Sequence, residues 1–198
     1  MYGEEIQGTA GSDRFIVEWD LGTPTAPAAA DAPVVLAPGD AALPAAARLG
    51  VAVPPDFMAL DNGLQPVTLK NSAGKIRLIS VVPSLDTPVC DLQTVTFNKR
   101  AAELSQNVKL YTVSVDLPFA QARFCVARAV DRLQTVSDHR DVSFGTNFGL
   151  LIKELRLLAR AVVIIDAQDT VRYLQIVPEM TTEPDYEEAL NALRQVVG

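Results

Sequence analysis

The chain has 198 residues, 48% of them hydrophobic, which is enough to bury one sizeable core with an appendage but a tight fit for two domains. Its 24 acidic against 17 basic residues leave a net charge of -7, and with no compensating basic cluster neither nucleic acid nor an anionic membrane surface is an expected partner. Two cysteines and a single histidine, His139, are too sparse for a secreted disulfide scaffold and make a poor ligand set, so no metal and no cofactor is expected and the chemistry falls to the thiols themselves.

Residues 1–50 read as an N-terminal arm, dominated by Ala and Pro from Thr23 to Ala47. Within it, Arg14 to Trp19 has the aromatic and β-branched content of a short strand, with Val34 to Leu36 as the return of a hairpin. Glu4 and Glu5 stand where a signal peptide carries positive charge, and no run approaches the roughly 18 apolar residues of a spanning helix. The expectation is a soluble, cytoplasmic chain.

Residues 51–198 read as one α/β domain. Ile76 to Val82 predicts a strand, Thr94 to Leu104 a helix, and Val108 to Val115 a second buried strand, an order that implies a parallel pair. A helix is expected over Ala120 to Arg128 after Pro118, then a strand at Arg160 to Ile165. The turn Asp166 to Asp169 leads to a hairpin partner at Val171 to Val177. Asp185 to Val196 closes the chain as a helix with Tyr186, Ala189, Leu190 and Leu193 on one face. This order fits a thioredoxin-like fold, a central mixed β-sheet flanked by helices, although several α/β folds share it.

Cys90 follows Pro83-Ser84-Leu85-Asp86-Thr87-Pro88-Val89, a loop between an apolar strand and a helical stretch, which puts it in the first turn of a helix. There the unpaired backbone N–H groups favour a thiolate, the attacking form. Thr87 is expected to bring its hydroxyl beside the sulfur and Pro83 to shield it. A buried structural cysteine is the competing reading, but Asp86, Thr87 and Asp91 make the run too polar for it. Cys125 stands 35 positions later, in Asp116-Leu117-Pro118-Phe119-Ala120-Gln121-Ala122-Arg123-Phe124-Cys125. Alone it reads more readily as core packing; beside Cys90 it offers a second, resolving thiol. His139, among the charges of Asp138, Arg140 and Asp141, reads as a solvated loop residue.

These segments resemble the thiol peroxidase branch of the peroxiredoxins. Pro83 to Cys90 is similar to the signature of a proline and a threonine ahead of the attacking cysteine, and Asp116 to Cys125 to the resolving segment of that branch. Leu158 to Asp166 and Glu179 to Tyr186 agree in the right order, and Pro54 to Phe57 looks like the family's entry into its first core strand, so the resemblance spans about residues 54–198. It implies that Cys90 is the peroxidatic cysteine, Thr87 and Pro83 shape its pocket, Arg160 is the active-site arginine, and Cys125 is the resolving cysteine. A peroxide substrate, a Cys90–Cys125 disulfide reached by local unwinding, thioredoxin or a similar dithiol as reductant, and a homodimer are further implications. Two stretches depart from the family: the long Ala/Pro-rich arm, and Leu150 to Leu158, where Lys153, Glu154 and Arg156 fall in a segment expected to border the active site. A thioredoxin-like oxidoreductase would need Cys-x-x-Cys, and Asp91, Leu92 and Gln93 follow Cys90 instead. A peroxide sensor or redox-switched binding protein remains the alternative use of the same thiols.

Overall fold

The computed structural model describes residues 56–198. The hairpin expected between Arg14 and Leu36, and Trp19 with it, lies outside the described residues.

Nine strands and four α-helices follow in the described part of the chain: β1 Ala59–Leu60, β2 Pro66–Val67, β3 Ile76–Val81, α1 Pro88–Arg100, β4 Val108–Ser114, α2 Pro118–Arg128, β5 Gln134–Ser137, α3 Ser143–Asn147, β6 Leu151–Ile152, β7 Leu157–Leu158, β8 Ala161–Ile165, β9 Val171–Ile176 and α4 Tyr186–Val197. Seven strands form one sheet in the order β2-β1-β5-β4-β3-β8-β9, and β6 and β7 make a separate two-stranded hairpin. The expected pair β3 and β4 is parallel, from Ile76 opposite Val108 to Val81 opposite Val113. β8 runs antiparallel to β3, and β9 is its hairpin partner, so the sheet is mixed and the fold is the thioredoxin-like one.

Both faces of the sheet are covered, so β3 and β8 are buried at every position; β8 reads as a continuous apolar run, and β3 as one interrupted by the buried Arg77 and Ser80. On one face Ile79, Val81, Tyr111, Val113 and Val163 pack with Phe57, Phe144 and Phe148 in a single core. The Phe144 and Phe148 rings stack at 4.4 Å, and the edge of Phe57 meets Phe144 at 5.2 Å. On the other face Leu78, Leu110, Val162 and Ile164 pack with Phe97 of α1 and with Ala189, Leu190 and Leu193 of α4. Those three α4 residues and Tyr186 form the stripe anticipated from spacing. Asp185 caps α4, its carboxylate accepting from the Glu188 N–H at 2.9 Å.

Two expectations, the start of the first helix and the setting of His139, need correction. The first helix begins at Pro88, with Thr87 as its N-cap and proline at the first helical position, and not at Thr94; its α-helical part ends at Arg100. Its buried face, Cys90, Gln93, Thr94, Phe97 and Asn98, keeps helical spacing but is mostly polar, so an apolar pattern does not reveal its start. The segment from Leu150 to Leu158 is a hairpin whose Leu150, Ile152 and Leu158 enter the core, while Lys153, Glu154 and Arg156 sit on its exposed turn. His139 is half-buried, its Nδ1 2.8 Å from the Ser137 hydroxyl, and is not a freely solvated loop residue. Among the described residues no helix is long and apolar enough to cross a membrane.

Candidate active site

The site lies where the parallel pair β3 and β4 ends. The loop leaving β3 carries Val82 to Thr87 and turns into α1; it is tied to the loop leaving β4 by Asp116. The Asp116 carboxylate accepts from the Ser84 hydroxyl and from the Leu85 N–H, both at 2.7 Å, and from the Ser114 hydroxyl at 2.7 Å. This acceptor holds the approach to α1 in one conformation, and with it the first helical turn that carries Cys90.

Cys90 is fully buried, among Val82, Leu85 and Phe124. Its sulfur faces two donors. The Thr87 hydroxyl is 2.8 Å from Sγ, with the Ser84 carbonyl at 3.1 Å as a second acceptor for the same proton. The Arg160 guanidinium donates from Nη2 to Sγ at 3.3 Å. Pro83 is buried in the loop between β3 and α1. Thr87 and Arg160 thus meet on one sulfur, although they stand 73 positions apart, while Pro83 lies in the same loop with no polar contact to it.

Register explains how Arg160 reaches Cys90. Val81 on β3 pairs with Ala161 on β8, so the residue before β8 lies across from the one after β3, at the end of the sheet where the loop to α1 begins. Arg160 is 1% exposed, and a buried guanidinium must find acceptors for its donors. Nη1 donates to the Gln93 side-chain oxygen at 2.6 Å, while Nε and Nη2 donate to the Met180 carbonyl at 3.2 and 2.7 Å. Gln93 is in turn fixed by donating to the Ser80 hydroxyl at 2.8 Å. Sequence reasoning missed Gln93 and Met180. Gln93 had a signal, since three positions after Cys90 on a helix is the same face; Met180 acts through its carbonyl, for which residue type carries none.

Cys125 is half-buried on α2, and both cysteines are free thiols. It does not face Cys90. The neighbouring Phe124 packs into the Cys90 cluster, while the Cys125 sulfur lies 3.4 Å from the Thr135 hydroxyl on β5 and 3.9 Å from the Asn62 side-chain nitrogen. The Arg128 guanidinium of α2 reaches the Asp91 carboxylate of α1 at 2.8 Å. α2 buries only Pro118 and Gln121, leaves Phe119 and Val126 exposed, and ends on Ala129 in the left-handed region with φ 52°. A helix with so little apolar burial and a strained end is cheap to displace.

A sulfur inside a helix N-terminus, faced by a hydroxyl and a guanidinium, is equipped to attack an electrophile as an anion and to hydrogen-bond the oxygens it displaces. The model of the Redoxin family matches residues 38–190. The thiol peroxidase of Halalkalibacterium halodurans is 56% identical over 140 residues, 71% of this chain and 84% of that one. The thiol peroxidase of Bacillus subtilis is 51% identical over 143 residues, 72% of this chain and 85% of that one. Among solved structures, a peroxiredoxin-like protein from Aquifex aeolicus superposes with a TM-score of 0.70 at 37% identity, covering 75% of this chain and 87% of that one.

Proposed function

The chain belongs to the thiol peroxidase branch of the peroxiredoxins, within the Redoxin family, and from that premise we propose that Cys90 attacks the peroxide and Cys125 resolves the product. The protein is a thiol-dependent peroxidase, with a peroxide as substrate and a thiol as reductant. The observation that carries the assignment of Cys90 is the pairing of Thr87 Oγ1 and Arg160 Nη2 on its sulfur, at 2.8 and 3.3 Å.

The Cys90 thiolate attacks one peroxide oxygen in line with the other. The S–O bond forms as the O–O bond breaks; sulfur is oxidised by two electrons, and the departing oxygen takes a proton to leave as water or an alcohol. Arg160 neutralises charge on the oxygens as the bond lengthens, and Met180 and Gln93 hold it in place to do so. The sulfenic acid on Cys90 then accepts the Cys125 sulfur, losing its oxygen as water and leaving a disulfide. A disulfide needs Cα atoms within about 7 Å and Cβ atoms facing each other, so the turn that now points Phe124 at Cys90 has to unwind. The sparse burial of α2 supports that motion.

The disulfide is returned to two thiols by an external dithiol such as thioredoxin. A cytoplasmic setting suits two free thiols, and a homodimer is supported by exposed Leu92, Leu117 and Phe119 on α1 and the start of α2. Residues 51–198 are the unit of this chemistry, set apart from residues 1–50 by the Ala/Pro-rich composition from Thr23 to Ala47. The test is peptide mass mapping after one equivalent of hydrogen peroxide or cumene hydroperoxide. Wild type is expected to give the Cys90–Cys125 disulfide, Cys90→Ser no oxidation of Cys125, and Cys125→Ser a sulfenic acid that proceeds to sulfinic acid with more peroxide. An unoxidised Cys90 in wild type refutes the assignment.

A further inference from the structure

We propose that Asn62 and Thr135 form a latch that holds the Cys125 thiol in its retracted position and thereby sets the rate of disulfide formation. The inference rests on the reading of Cys125 as the resolving thiol and adds two positioning residues to it.

Three side chains from three separate elements close a ring. The Thr135 hydroxyl of β5 donates to the Asn62 side-chain oxygen at 3.1 Å. Its one proton is thereby used, so at the 3.4 Å contact with Cys125 it accepts from the thiol S–H. The Asn62 side-chain nitrogen, in the turn between β1 and β2, donates back to the Cys125 sulfur at 3.9 Å. The thiol is thus satisfied both as donor and as acceptor without any contact to Cys90.

Packing does not do this work. The ring sits on the wall of an open depression of about 310 Å³, lined by Asn62, Gly63, Cys125, Val130, Leu133 and Thr135 among others. The thiol has room to leave and polar partners to leave behind. Register keeps those partners fixed: Leu60 of β1 pairs with Ser137 of β5, which brings the turn carrying Asn62 alongside Thr135. Neither residue touches the Cys90 sulfur, so the latch acts on the second step of the cycle and not on the first.

Resolution competes with a second peroxide. Cys90–SOH either meets Cys125–SH, giving the disulfide and water, or meets another ROOH, giving Cys90–SO2H and ROH. A latch on Cys125 slows the first branch and makes the enzyme more easily over-oxidised. Removing it is expected to speed disulfide formation by a factor on the order of five, the weight of one weak hydrogen bond.

The experiment is quenched-flow alkylation and mass analysis of the full-length reduced protein after mixing with hydrogen peroxide. Thr135→Val and Asn62→Ala are expected to form the Cys90–Cys125 disulfide about fivefold faster, with sulfenic acid appearing at the wild-type rate. The peroxide concentration giving half sulfinic acid rises by the same factor, and Thr135→Ser, which keeps the hydroxyl, behaves as wild type. The double variant is expected to be no faster than either single one, because one ring is broken in both cases; Asn62→Ala, in a turn, serves if Thr135→Val folds poorly. Unchanged or slower disulfide formation in the single variants overturns the latch while leaving Cys125 as the resolving thiol. Absence of the disulfide in wild type overturns the assignment of Cys125, and the latch with it.

Discussion

Gln93→Leu separates holding the arginine from merely filling the site. Leucine is close in volume to glutamine, so the 0% exposed position stays filled. What is lost is the acceptor for Arg160 Nη1 at 2.6 Å and the donor to the Ser80 hydroxyl at 2.8 Å. A charge-assisted bond is worth about 1.5–3 kcal/mol and a neutral one about 1 kcal/mol, and the apolar side chain returns about 1 kcal/mol of burial. The net expectation is a loss of about 1.5–3 kcal/mol in stability, read from urea unfolding. Arg160 keeps the Met180 carbonyl but loses one of two anchors, so kcat/KM for peroxide should fall about tenfold, the equivalent of ~1.4 kcal/mol in the barrier. Gln93→Glu retains the acceptor for the guanidinium, and the Ser80 hydroxyl turns to donate to the carboxylate in place of accepting from the amide, so it should stay within about threefold of wild type. If Leu and Glu variants slow oxidation equally, or if Leu leaves it within twofold, the chain of contacts from Ser80 through Gln93 to Arg160 does not position the guanidinium.

Burial raises the Asp138 carboxyl to about 6 despite backbone N–H donors from Gly145 and Phe144. The folded chain then holds a proton that the unfolded chain has released, so stability falls as pH rises from about 4 to 6, by about 3 kcal/mol at 1.4 kcal/mol per pH unit. Urea midpoints of wild type and Asp138→Asn at pH 4 and 7.5 isolate this slope, and parallel midpoints would contradict it. Ala129→Gly relieves the left-handed residue that ends α2 and should stabilise that helix by about 1 kcal/mol, slowing disulfide formation severalfold without changing sulfenic acid formation. Asp185→Ala removes the α4 cap at 2.9 Å from Glu188 N and should lower stability by about 1 kcal/mol, with peroxidation kinetics unaltered.

Most elements legible in the sequence are those whose burial is apolar, while α2 was placed by the proline at its start. β3, β4 and β8 are predominantly apolar stretches between two covered faces, and α4 shows a plain stripe; each is located to within a residue or two. β5 was invisible because Gln134-Thr135-Val136-Ser137 has the composition of a loop, yet Thr135 and Ser137 are buried, their hydroxyls donating to Asn62 and to the Asp116 carbonyl. β1, β2, β6 and β7 are two residues each, too short for any periodicity. At the site, Cys90 and Thr87 were reachable from residue type and spacing at the start of a helix, and Arg160 through the family resemblance, since type alone does not single it out among the basic residues. Asn62, Thr135, Gln93 and the Met180 carbonyl were not, since each acquires its role only from what the fold sets beside it.

The same polar strand positions that hid β5 also account for the looseness of α2. Ser80, Thr112 and Thr135 stand side by side on β3, β4 and β5, in register, beneath the helices that carry the two cysteines. Ser80 is satisfied from α1 by Gln93, and Thr135 by Asn62 and the thiol, whereas Thr112 Oγ1 has no partner among the described residues. A well-docked α2 would keep Phe124, not Cys125, against the sulfur of Cys90. α4 is held by Ala189, Leu190 and Leu193 and α1 by Phe97 and the Gln93 hydrogen bond to Ser80, where Cys90 and Arg160 must not move, whereas α2, where the second thiol must, buries only Pro118 and Gln121.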